Sequence, residues 1–443
     1  MNAPVAVDLV IEAKWIVPVE PANAVLENHA VVIDEGKIVA ILQQPDVVHR
    51  FTPRQVKCLP HHVLIPGLVN LHTHAAMTLL RGLADDLPLM EWLENHIWPA
   101  ESRHVSAQFV HDGTLLACAE MLRGGITCFN DMYFFPKAAA KAVLASGIRA
   151  VLGLITFDFS TSYASDADDY FAKGLAARDE LRDEPLLGFC IAPHAPYTVS
   201  DRNFGKALTL AEQCDLPIHV HLHETHQELA IGIEKFGVRP VERLRGLGLL
   251  SPSLIAAHGV HLEPNEIDLL ADHGCSVAHC PSSNLKLASG IAPIAQLTAS
   301  RVNVGLGTDG AASNNRLDIF AEMRLAALLA KGFSGQADAV PAHFALRMAT
   351  LGGAQALGLD KKIGTIAVGK FADICAVNIH DIGLSPCYDV ISHLVYVAGR
   401  ESVTDVWVAG ECRVEDGILL AMDELELIKL GALWQNQIRP RNF

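Results

Sequence analysis

Several features that would define the class of a protein are missing from this sequence of 443 residues. Its ten cysteines form no C-x-x-C pair, so neither a zinc ribbon nor a thioredoxin-type redox motif is indicated. No apolar run reaches the ~18 residues that a membrane-spanning helix needs. Basic residues are scarce, with 34 Lys and Arg against 50 Asp and Glu. This balance argues against nucleic acid and anionic membranes as partners, and a neutral or cationic small molecule fits better.

The expected compartment follows from the cysteines and from the first residues of the sequence. Unpaired thiols that pack as small hydrophobic groups are typical of proteins in a reducing compartment. The first twenty residues, MNAPVAVDLVIEAKWIVPVE, lack the basic start and the apolar core of a signal peptide. We therefore expect a cytoplasmic protein.

The middle of the chain predicts an α/β fold. No G-x-G-x-x-G follows a first strand, so a Rossmann fingerprint is absent. Eight apolar β-rich runs, from HVLIPGLVNLHTH to VNVGLGTDGAAS, alternate instead with helical stretches such as AQFVHDGTLLACAEMLRGG. Strands that are apolar throughout indicate a parallel sheet buried on both faces. Eight such units over ~300 residues predict a (β/α)8 TIM barrel, with a doubly wound open sheet as the rival.

The two ends of the chain share a different pattern. Both contain short alternating strands, such as AVVIDEGKIVAIL near the start and VTDVWVAGECRVEDG near the end. Chain termini often lie close together, so we expect both ends to fold as one small β-sandwich domain. The predicted domains are residues 1–62, the first part of the sandwich; 63–364, the catalytic barrel; and 365–443, the second part with a terminal helix.

Polar residues stand at the C-terminal ends of the predicted strands, which a barrel brings together at the face where such enzymes place their chemistry. They are His72 and His74 on the first strand, His194 on the fourth, His221 and Glu224 on the fifth, His258 on the sixth and Asp309 on the eighth. The strand period of two puts His72 and His74 on one face, within reach of one ion, and imidazole nitrogen is a good zinc ligand. The competing interpretation is a pair of hydrogen-bonded histidines in the core.

Several assignments stay open on spacing alone. His219, His221 and His223 share strand parity, so some of them must be packing residues or residues that orient ligands. Glu224 is equally typical of an exposed strand end, and His258 of a buried, hydrogen-bonded histidine. The aspartate of GTDGAAS also fits a common turn beside glycine.

Taken together, these segments resemble the amidohydrolase superfamily. The resemblance rests on PGLVNLHTHAAMTLLRG, APHAPYT, HLHET, AAHGVHL, HCPSSNLKLASGIAPI and GTDGAASNN. Within it, LLRGLADDLPLMEWLENHIWPAE and GTDGAASNNRLDIFAEMR are most similar to the 5-methylthioadenosine/S-adenosylhomocysteine deaminases. The fifth-strand metal ligand of that family lies three residues before its catalytic Glu, which implies His221 with Glu224.

The resemblance also implies a metal centre. Its ligands would be His72, His74, His221 and Asp309. Many relatives with two metal ions carry a bridging lysine at the end of strand four, where this chain has APHAPYT with His194. We therefore expect one metal ion per subunit. The resemblance favours zinc, and Fe²⁺ is the alternative because histidine and carboxylate ligands suit either metal.

The same resemblance implies a role for each remaining polar residue. Asp309 would orient the metal-activated water as a base, and His258 would steady the attacking oxygen. Glu224 would protonate a ring nitrogen of adenine and carry a proton to the leaving amine. Glu101 would bind the ribose, because a carboxylate can accept hydrogen bonds from both vicinal hydroxyls, and His194 would contact the nucleoside from strand four. Glu224 and Asp309 thus contact substrate as well as acting on it.

One departure from the family bears on the substrate. Relatives that act on S-adenosylhomocysteine carry arginines after the third strand, which can hold the amino-acid carboxylate. Residues 150–177 of this chain contain no arginine, and their one basic residue is Lys173. They offer Leu154, Phe157 and Phe159 instead. We therefore predict an apolar end to the pocket and a preference for 5′-methylthioadenosine.

Two other functions are weighed against this one. The first is deamination or dechlorination of another heterocycle, such as guanine, cytosine or an s-triazine, on the same fold. The P-C-x-x-C motif of the zinc deaminases that act on nucleic-acid bases is missing. The second is a non-catalytic binding protein, which would be expected to have lost metal ligands or the acid/base residue. A homo-oligomer, either a dimer or a tetramer, is expected from the resemblance.

Overall fold

The computed structural model describes residues 3–439, and their strands form two sheets. In chain order the strands are β1 Val5–Ile16, β2 Leu26–Asp34, β3 Lys37–Gln43, β4 Phe51–Pro66, β5 Leu68–Thr73, β6 Ile126–Tyr133, β7 Arg149–Thr156, β8 Leu187–Pro193, β9 Ile218–Leu222, β10 Leu254–His258, β11 Ser276–His279, β12 Asn303–Leu306, β13 Ile374–Asn378, β14 Val403–Val408, β15 Glu411–Glu415 and β16 Ile418–Leu419. Strands β5 to β12 form one sheet, and the strands from the two ends of the chain form the other.

Most helices lie between the strands of the first sheet, and α1, α17 and α18 belong to the end segments of the chain. In chain order they are α1 Val47–Arg50, α2 Leu89–Trp92, α3 Trp98–His104, α4 Ala107–Arg123, α5 Pro136–Ser146, α6 Ala167–Leu181, α7 Asp201–Cys214, α8 His226–Phe236, α9 Pro240–Gly246, α10 Pro264–Asp272, α11 Pro281–Lys286, α12 Ile294–Ala299, α13 Ala311–Asn314, α14 Ile319–Ser334, α15 Ala342–Arg347, α16 Gly353–Ala356, α17 Val390–Tyr396 and α18 Glu424–Ile438. Short 3-10 or π turns lie at residues 44–46, 75–80, 93–97, 348–352, 382–384 and 400–402.

The predicted barrel is confirmed. Strands β5 to β12 pair in parallel in the order of the chain, and every residue of β6 and β7 is buried, as expected where helices cover the sheet. The first and last strands meet where the backbone N–H of Asp309 donates to the carbonyl of His72 (2.9 Å). The carboxyl ends of all these strands therefore surround one face, which is where the predicted polar residues lie.

The prediction that both chain ends build one β-structure is also confirmed. The second sheet has the order β16-β15-β14-β13-β4-β1-β2-β3, with β13 antiparallel to β4. Apolar residues from both ends pack in one cluster, including Ile33 and Ile38 from the first and Ile374 and Trp407 from the second. Strand β4 runs across the predicted boundary at residues 62–63, and the two domain boundaries remain proposals. The terminal helix α18 packs on the barrel helix α4, with Trp434 Nε1 donating to Asp112 (2.9 Å).

Two expectations drawn from missing sequence features can be compared with the structure. No helix in residues 3–439 is long and apolar enough to cross a membrane. The ten cysteines are all free, and six of them are buried. The six buried thiols pack as small groups, whereas Cys58 is exposed.

A buried ion pair joins the floor of the barrel to the terminal sheet. The guanidinium of Arg149, at the start of β7, contacts both carboxylate oxygens of Asp373 at 3.1 and 3.2 Å. The same carboxylate accepts the backbone N–H of Ala409 (2.8 Å), and both charged side chains are almost fully buried. The pair therefore ties one strand of the barrel to two segments of the C-terminal region.

Removing one partner of this pair is expected to be strongly destabilising. Asp373→Ala leaves the guanidinium of Arg149 buried without a counter-charge, which costs about 3–5 kcal/mol of unfolding free energy. Urea denaturation followed by circular dichroism measures the loss. The matched control is Glu426→Ala, which removes an exposed pair with Lys429 and is expected to cost under ~1 kcal/mol. Equal midpoints for the two variants would contradict the prediction.

Candidate active site

The four predicted metal ligands converge at the carboxyl end of the barrel. Asp309 Oδ1 lies 3.2 Å from His74 Nε2 and 3.4 Å from His72 Nε2. His221 Nε2 lies 3.3 Å from His74 Nε2. His72 comes from β5, His221 from β9, and Asp309 follows β12, so residues up to 237 positions apart meet at one point because the barrel closes.

The Nδ1 atoms of these histidines already make hydrogen bonds, which fixes the direction in which each Nε2 atom points. His74 Nδ1 donates to the carbonyl of Met132 (2.6 Å), and His221 Nδ1 donates to the carbonyl of His194 (2.7 Å). Each Nε2 therefore faces the shared centre, as is usual for metal-binding histidines. His72 Nε2 is fully buried and has no hydrogen-bond partner among the described residues. An unpaired buried imidazole nitrogen beside a carboxylate fits a divalent cation.

The geometry distinguishes the three histidines of β9 and the turn after it. His219 Nε2 lies 2.9 Å from His72 Nδ1, so it contacts a predicted ligand from behind rather than the centre itself. His223 Nδ1 donates to the carbonyl of His261 (3.1 Å), and its Nε2 accepts the backbone N–H of Val241 (3.1 Å). Only His221 directs a free nitrogen at the centre, in agreement with the choice that the resemblance implied.

The carboxylate of Asp309 is held by three donors on its outer side. The hydroxyls of Ser283 and Ser313 donate to Oδ2 at 2.6 and 2.7 Å, and the backbone N–H of Gly310 donates to Oδ1 (2.8 Å). Burial acts to raise the pKa of Asp309, but the close contacts and charges of His72 and His74 hold that pKa well below its usual range. The group is therefore an anion aimed at the histidines.

Glu224 and His258 stand side by side at the edge of the same centre. His258 Nε2 lies 3.8 Å from Glu224 Oε2, while His258 Nδ1 donates to Asn284 Oδ1 (2.9 Å), which fixes the plane of the ring. Burial raises the pKa of Glu224, and the nearby His258 opposes that shift. A carboxyl group with a raised pKa holds and releases a proton closer to neutral pH, which suits general acid/base work.

Glu101 faces the centre from α3, in the segment between β5 and α4. The hydroxyl of Tyr133 donates to Glu101 Oε1 (2.6 Å). Burial raises the pKa of Glu101 to about 6, and the hydrogen bond from Tyr133 opposes the shift. His194 lies across the cavity with its ring against Phe157 (centroids 4.4 Å apart), and burial lowers the pKa of His194 to about 3. Its imidazole is therefore neutral.

Two adjoining cavities open above these residues. The inner cavity, about 70 Å³, is lined by His74, Glu101, His194, His221, Glu224, His258 and Asp309 together with a ring of apolar side chains. The outer cavity, about 390 Å³, is lined by Trp98, Glu101, Ser102, Val105, Phe134, Phe157, Phe159, Ser160, Thr161 and Ser162. Glu101 borders both, and neither set of lining residues includes a lysine or an arginine.

One predicted lining residue is wrong. Leu154 lines neither cavity, because its buried side chain points towards helix α6, where a Cβ at Gly174 would lie 3.0 Å from it. Phe157 and Phe159 do line the outer cavity. Leu154 and Phe157 have opposite parity on β7 and its extension, so only one of them can face the centre. Ile155 takes the inner position instead.

Sequence reasoning missed the residues that hold the predicted ones in place. They are Tyr133 beside Glu101, Asn284 beside His258, and Ser283 and Ser313 beside Asp309. Ser313 stands inside the quoted motif GTDGAAS, and Ser283 and Asn284 stand inside HCPSSNLKLASGIAPI, so a signal existed for these three. Tyr133 ends an apolar strand and carries no distinguishing pattern.

Comparison with known proteins agrees with this geometry. The profile of the amidohydrolase family matches residues 63–413. The 5-methylthioadenosine/S-adenosylhomocysteine deaminase of Saccharophagus degradans is 45% identical over 98% of this chain and 97% of its own. A 5′-deoxyadenosine deaminase from Methanosarcina barkeri is 42% identical over 95% of this chain and 96% of its own.

A solved structure gives the same result at the level of the fold. An adenosine deaminase from Xanthomonas campestris, crystallised with bound zinc, superposes with a TM-score of 0.97 at 50% identity, covering 98% of this chain and 99% of that one. The chain therefore belongs to the amidohydrolase family and is a hydrolytic deaminase. The resemblance seen in the sequence is confirmed.

Proposed function

We propose that the protein removes the 6-amino group of adenine nucleosides by hydrolysis, acting best on 5′-methylthioadenosine to give 5′-methylthioinosine and ammonia. The observation that carries the proposal is that His74, His221 and Asp309 line one cavity with Glu224 and Glu101. His72 lies directly behind that cavity, 3.4 Å from Asp309. The relatives named above are all deaminases of adenosine or of its 5′-modified forms, which supports the substrate class.

We propose one Zn²⁺ per subunit, held by His72, His74, His221 and Asp309. The two candidate metal-binding groups in residues 3–439 share His72, so they describe overlapping halves of a single centre. No lysine follows β8 to bridge a second ion. A bound Zn²⁺ supplies Lewis acidity and lowers the pKa of a coordinated water toward ~7. Metal analysis of purified protein tests zinc against Fe²⁺.

Three side chains of the site carry out the proton transfers and hydrogen bonding of the reaction. Asp309, fixed by Ser283 and Ser313, accepts a proton from the attacking water as its oxygen adds to C6 of the purine. Glu224 gives its proton to the ring nitrogen beside C6, takes up the proton of the new C6 hydroxyl and passes that proton to the amino group. The C6–N bond then breaks as the C6=O bond forms, ammonia leaves, and the proton held by Asp309 restores the acid form of Glu224. His258, whose Nδ1 donates to Asn284, directs its other ring nitrogen at the attacking oxygen and steadies it by accepting a hydrogen bond from its O–H.

The nucleoside is held from two sides. The Glu101 carboxylate accepts hydrogen bonds from the ribose hydroxyls, with Tyr133 fixing one of its oxygens. His194 contacts the nucleoside from the end of β8. With the base at the metal centre and the ribose at Glu101, the 5′-substituent extends into the outer cavity.

The composition of the outer cavity favours an uncharged 5′-group. Aromatic rings, one valine, serine and threonine hydroxyls and the carboxylate of Glu101 line it, and no cation is among the lining residues. S-adenosylhomocysteine would place an ammonium and a carboxylate there without a fixed counter-charge for the carboxylate, which is costly. A methylthio group carries no charge, and its transfer from water into contact with apolar side chains is favourable. The cavity therefore favours 5′-methylthioadenosine.

The experiment that tests the proposal is an ammonia-release assay with zinc-loaded protein. We expect kcat/KM for 5′-methylthioadenosine to exceed that for S-adenosylhomocysteine by ~10-fold or more, the factor that ~1.4 kcal/mol provides. Adenosine, guanine and cytosine are assayed in parallel. A clear preference for S-adenosylhomocysteine would overturn the specificity, and turnover of a free base alone would favour the heterocycle deaminase. Glu101→Ala that left nucleoside turnover intact would do the same.

The absence of any ammonia release under these conditions would instead support the non-catalytic binding protein. All predicted metal and acid/base positions are filled here, which argues against that alternative. We further propose a cytoplasmic location and a homo-oligomer, either a dimer or a tetramer. Mass determination in solution by light scattering tests the oligomeric state.

A further inference from the structure

The turn that presents Glu224 is anchored by a second glutamate that the reaction itself does not use. Both oxygens of the Glu228 carboxylate accept successive backbone N–H groups, from His223 (2.9 Å) and from Glu224 (2.8 Å). Glu228 is 3% exposed, and no lysine or arginine pairs with it among the described residues. The hydrogen bonds from these two N–H groups therefore offset the cost of burying the Glu228 carboxyl group.

The arrangement departs from ordinary helix capping. Thr225 caps helix α8, and its hydroxyl accepts the backbone N–H of Glu228 (3.2 Å). In a capping box the glutamate at this position would return a bond to the N–H of the capping residue itself. Glu228 reaches further back, to the two residues before Thr225. Its carboxylate thus stabilises the turn that carries Glu224 rather than only the start of the helix.

His223 anchors the same turn from its other side. Its backbone is in the left-handed region (φ 55°), which is unfavourable for a residue with a side chain and persists only when neighbours enforce it. Its ring is bonded at both nitrogens to the backbone of His261 and Val241. Between them, the His223 ring and the Glu228 carboxylate leave the backbone of Glu224 little freedom.

We propose that Glu228 is a positioning residue for proton transfer by Glu224, with His223 as the second anchor of the turn. The inference rests on the proposed function, because Glu224 must act on the adenine ring for its position to matter. A general acid has to lie within hydrogen-bond reach of the atom it protonates, and a displacement of about 1 Å can cost ~10²-fold in rate.

The test is the Glu228→Gln variant of the full zinc-loaded chain. The glutamine oxygen can accept one of the two N–H groups, but its NH₂ faces the other and turns it away. We expect kcat to fall ~30–100-fold and bound zinc to stay at the wild-type level. KM for 5′-methylthioadenosine should change under about threefold, because Glu101 and His194, which hold the nucleoside, are untouched. Glu228→Asp, which keeps the charge but is too short to reach both groups, is expected to be intermediate and replaces Glu228→Gln if that variant does not fold.

A double-mutant comparison separates positioning from general damage. If Glu228 acts through Glu224, the double variant Glu224→Gln/Glu228→Gln should have a kcat less than about twofold below that of the single variant Glu224→Gln. The reason is that the group that Glu228 positions is already missing from the single variant. The matched control is Asp318→Asn, another buried carboxylate that caps a helix at this end of the barrel, by accepting the N–H of Ala321 (3.1 Å). It is expected to lower the melting temperature and leave kcat unchanged.

Each outcome has a defined meaning. A kcat within twofold of wild type in Glu228→Gln, or independent multiplication of the two effects, would overturn the positioning role. Wild-type protein that releases no ammonia from any nucleoside would instead overturn the proposed function, so the two failures are distinguishable.

Discussion

Glu224→Gln is expected to reduce kcat for nucleoside deamination by ~10³-fold, within the range that a general acid/base residue contributes. The amide cannot give up or take up the proton that the ring nitrogen and the leaving amine require. The variant should still bind its metal, because Glu224 is not one of the four converging ligands. Single-turnover ammonia release together with metal analysis measures both quantities.

The matched control for this variant is Glu234→Gln, on the exposed face of the helix that follows the same turn. It changes the net charge equally and should leave kcat at the wild-type value. Activity within tenfold of wild type in Glu224→Gln would mean that another group moves the proton. His258, 3.8 Å away, would then be the next residue to replace.

Asp309→Asn is expected to lose both the bound metal and the activity, with kcat/KM at least ~10³-fold lower. The substitution removes the one anion that faces the histidines, and the hydroxyls of Ser283 and Ser313 then meet a group that carries no charge. A carboxylate ligand also contributes charge that an amide oxygen does not supply to Zn²⁺. Metal content by atomic emission, before and after dialysis, is the direct measurement.

The Asp318→Asn variant serves here as the control, since it also exchanges a buried carboxylate for an amide near the end of β12. It should retain about one metal ion per chain. An Asp309→Asn protein with full metal content and normal turnover would show that the aspartate is a turn residue, as its place beside Gly310 also allows.

Much of the fold could be predicted because the strands that build it have one property in common. Residues 149–156 and 126–133 are apolar or small almost throughout, and both stretches prove to be buried on both faces. The barrel followed from the alternation of eight such runs with helical stretches, which is typical of parallel strands joined by helices. The pairing of the two chain ends rested on similar patterning alone, and hydrogen bonds between β4 and β13 now account for it.

Only those site residues could be predicted whose residue type and place in the sequence are distinctive. Histidines and acids at strand ends are visible in the sequence, whereas the contacts that hold them, such as that of Tyr133 with Glu101, depend on the folded barrel. Leu154 was misplaced because it was grouped with Phe157 and Phe159 as an apolar residue, although strand parity directs its side chain to the opposite face. Strand parity also could not separate His221 from His223. The left-handed backbone at His223 turns its ring away from the centre, and residue spacing does not predict such a backbone conformation.

The position of β4 in the terminal sheet has a consequence for biosynthesis. One edge of this strand pairs with β1 as soon as the first seventy residues are made, but its other edge must wait for β13. About 300 residues separate the two, which a ribosome adds in roughly 15–60 s at ~5–20 residues per second. Throughout that interval a nascent chain carries an open strand edge that can pair with a neighbouring polypeptide. Crowded translation, rather than heat, should therefore be the condition under which this protein aggregates.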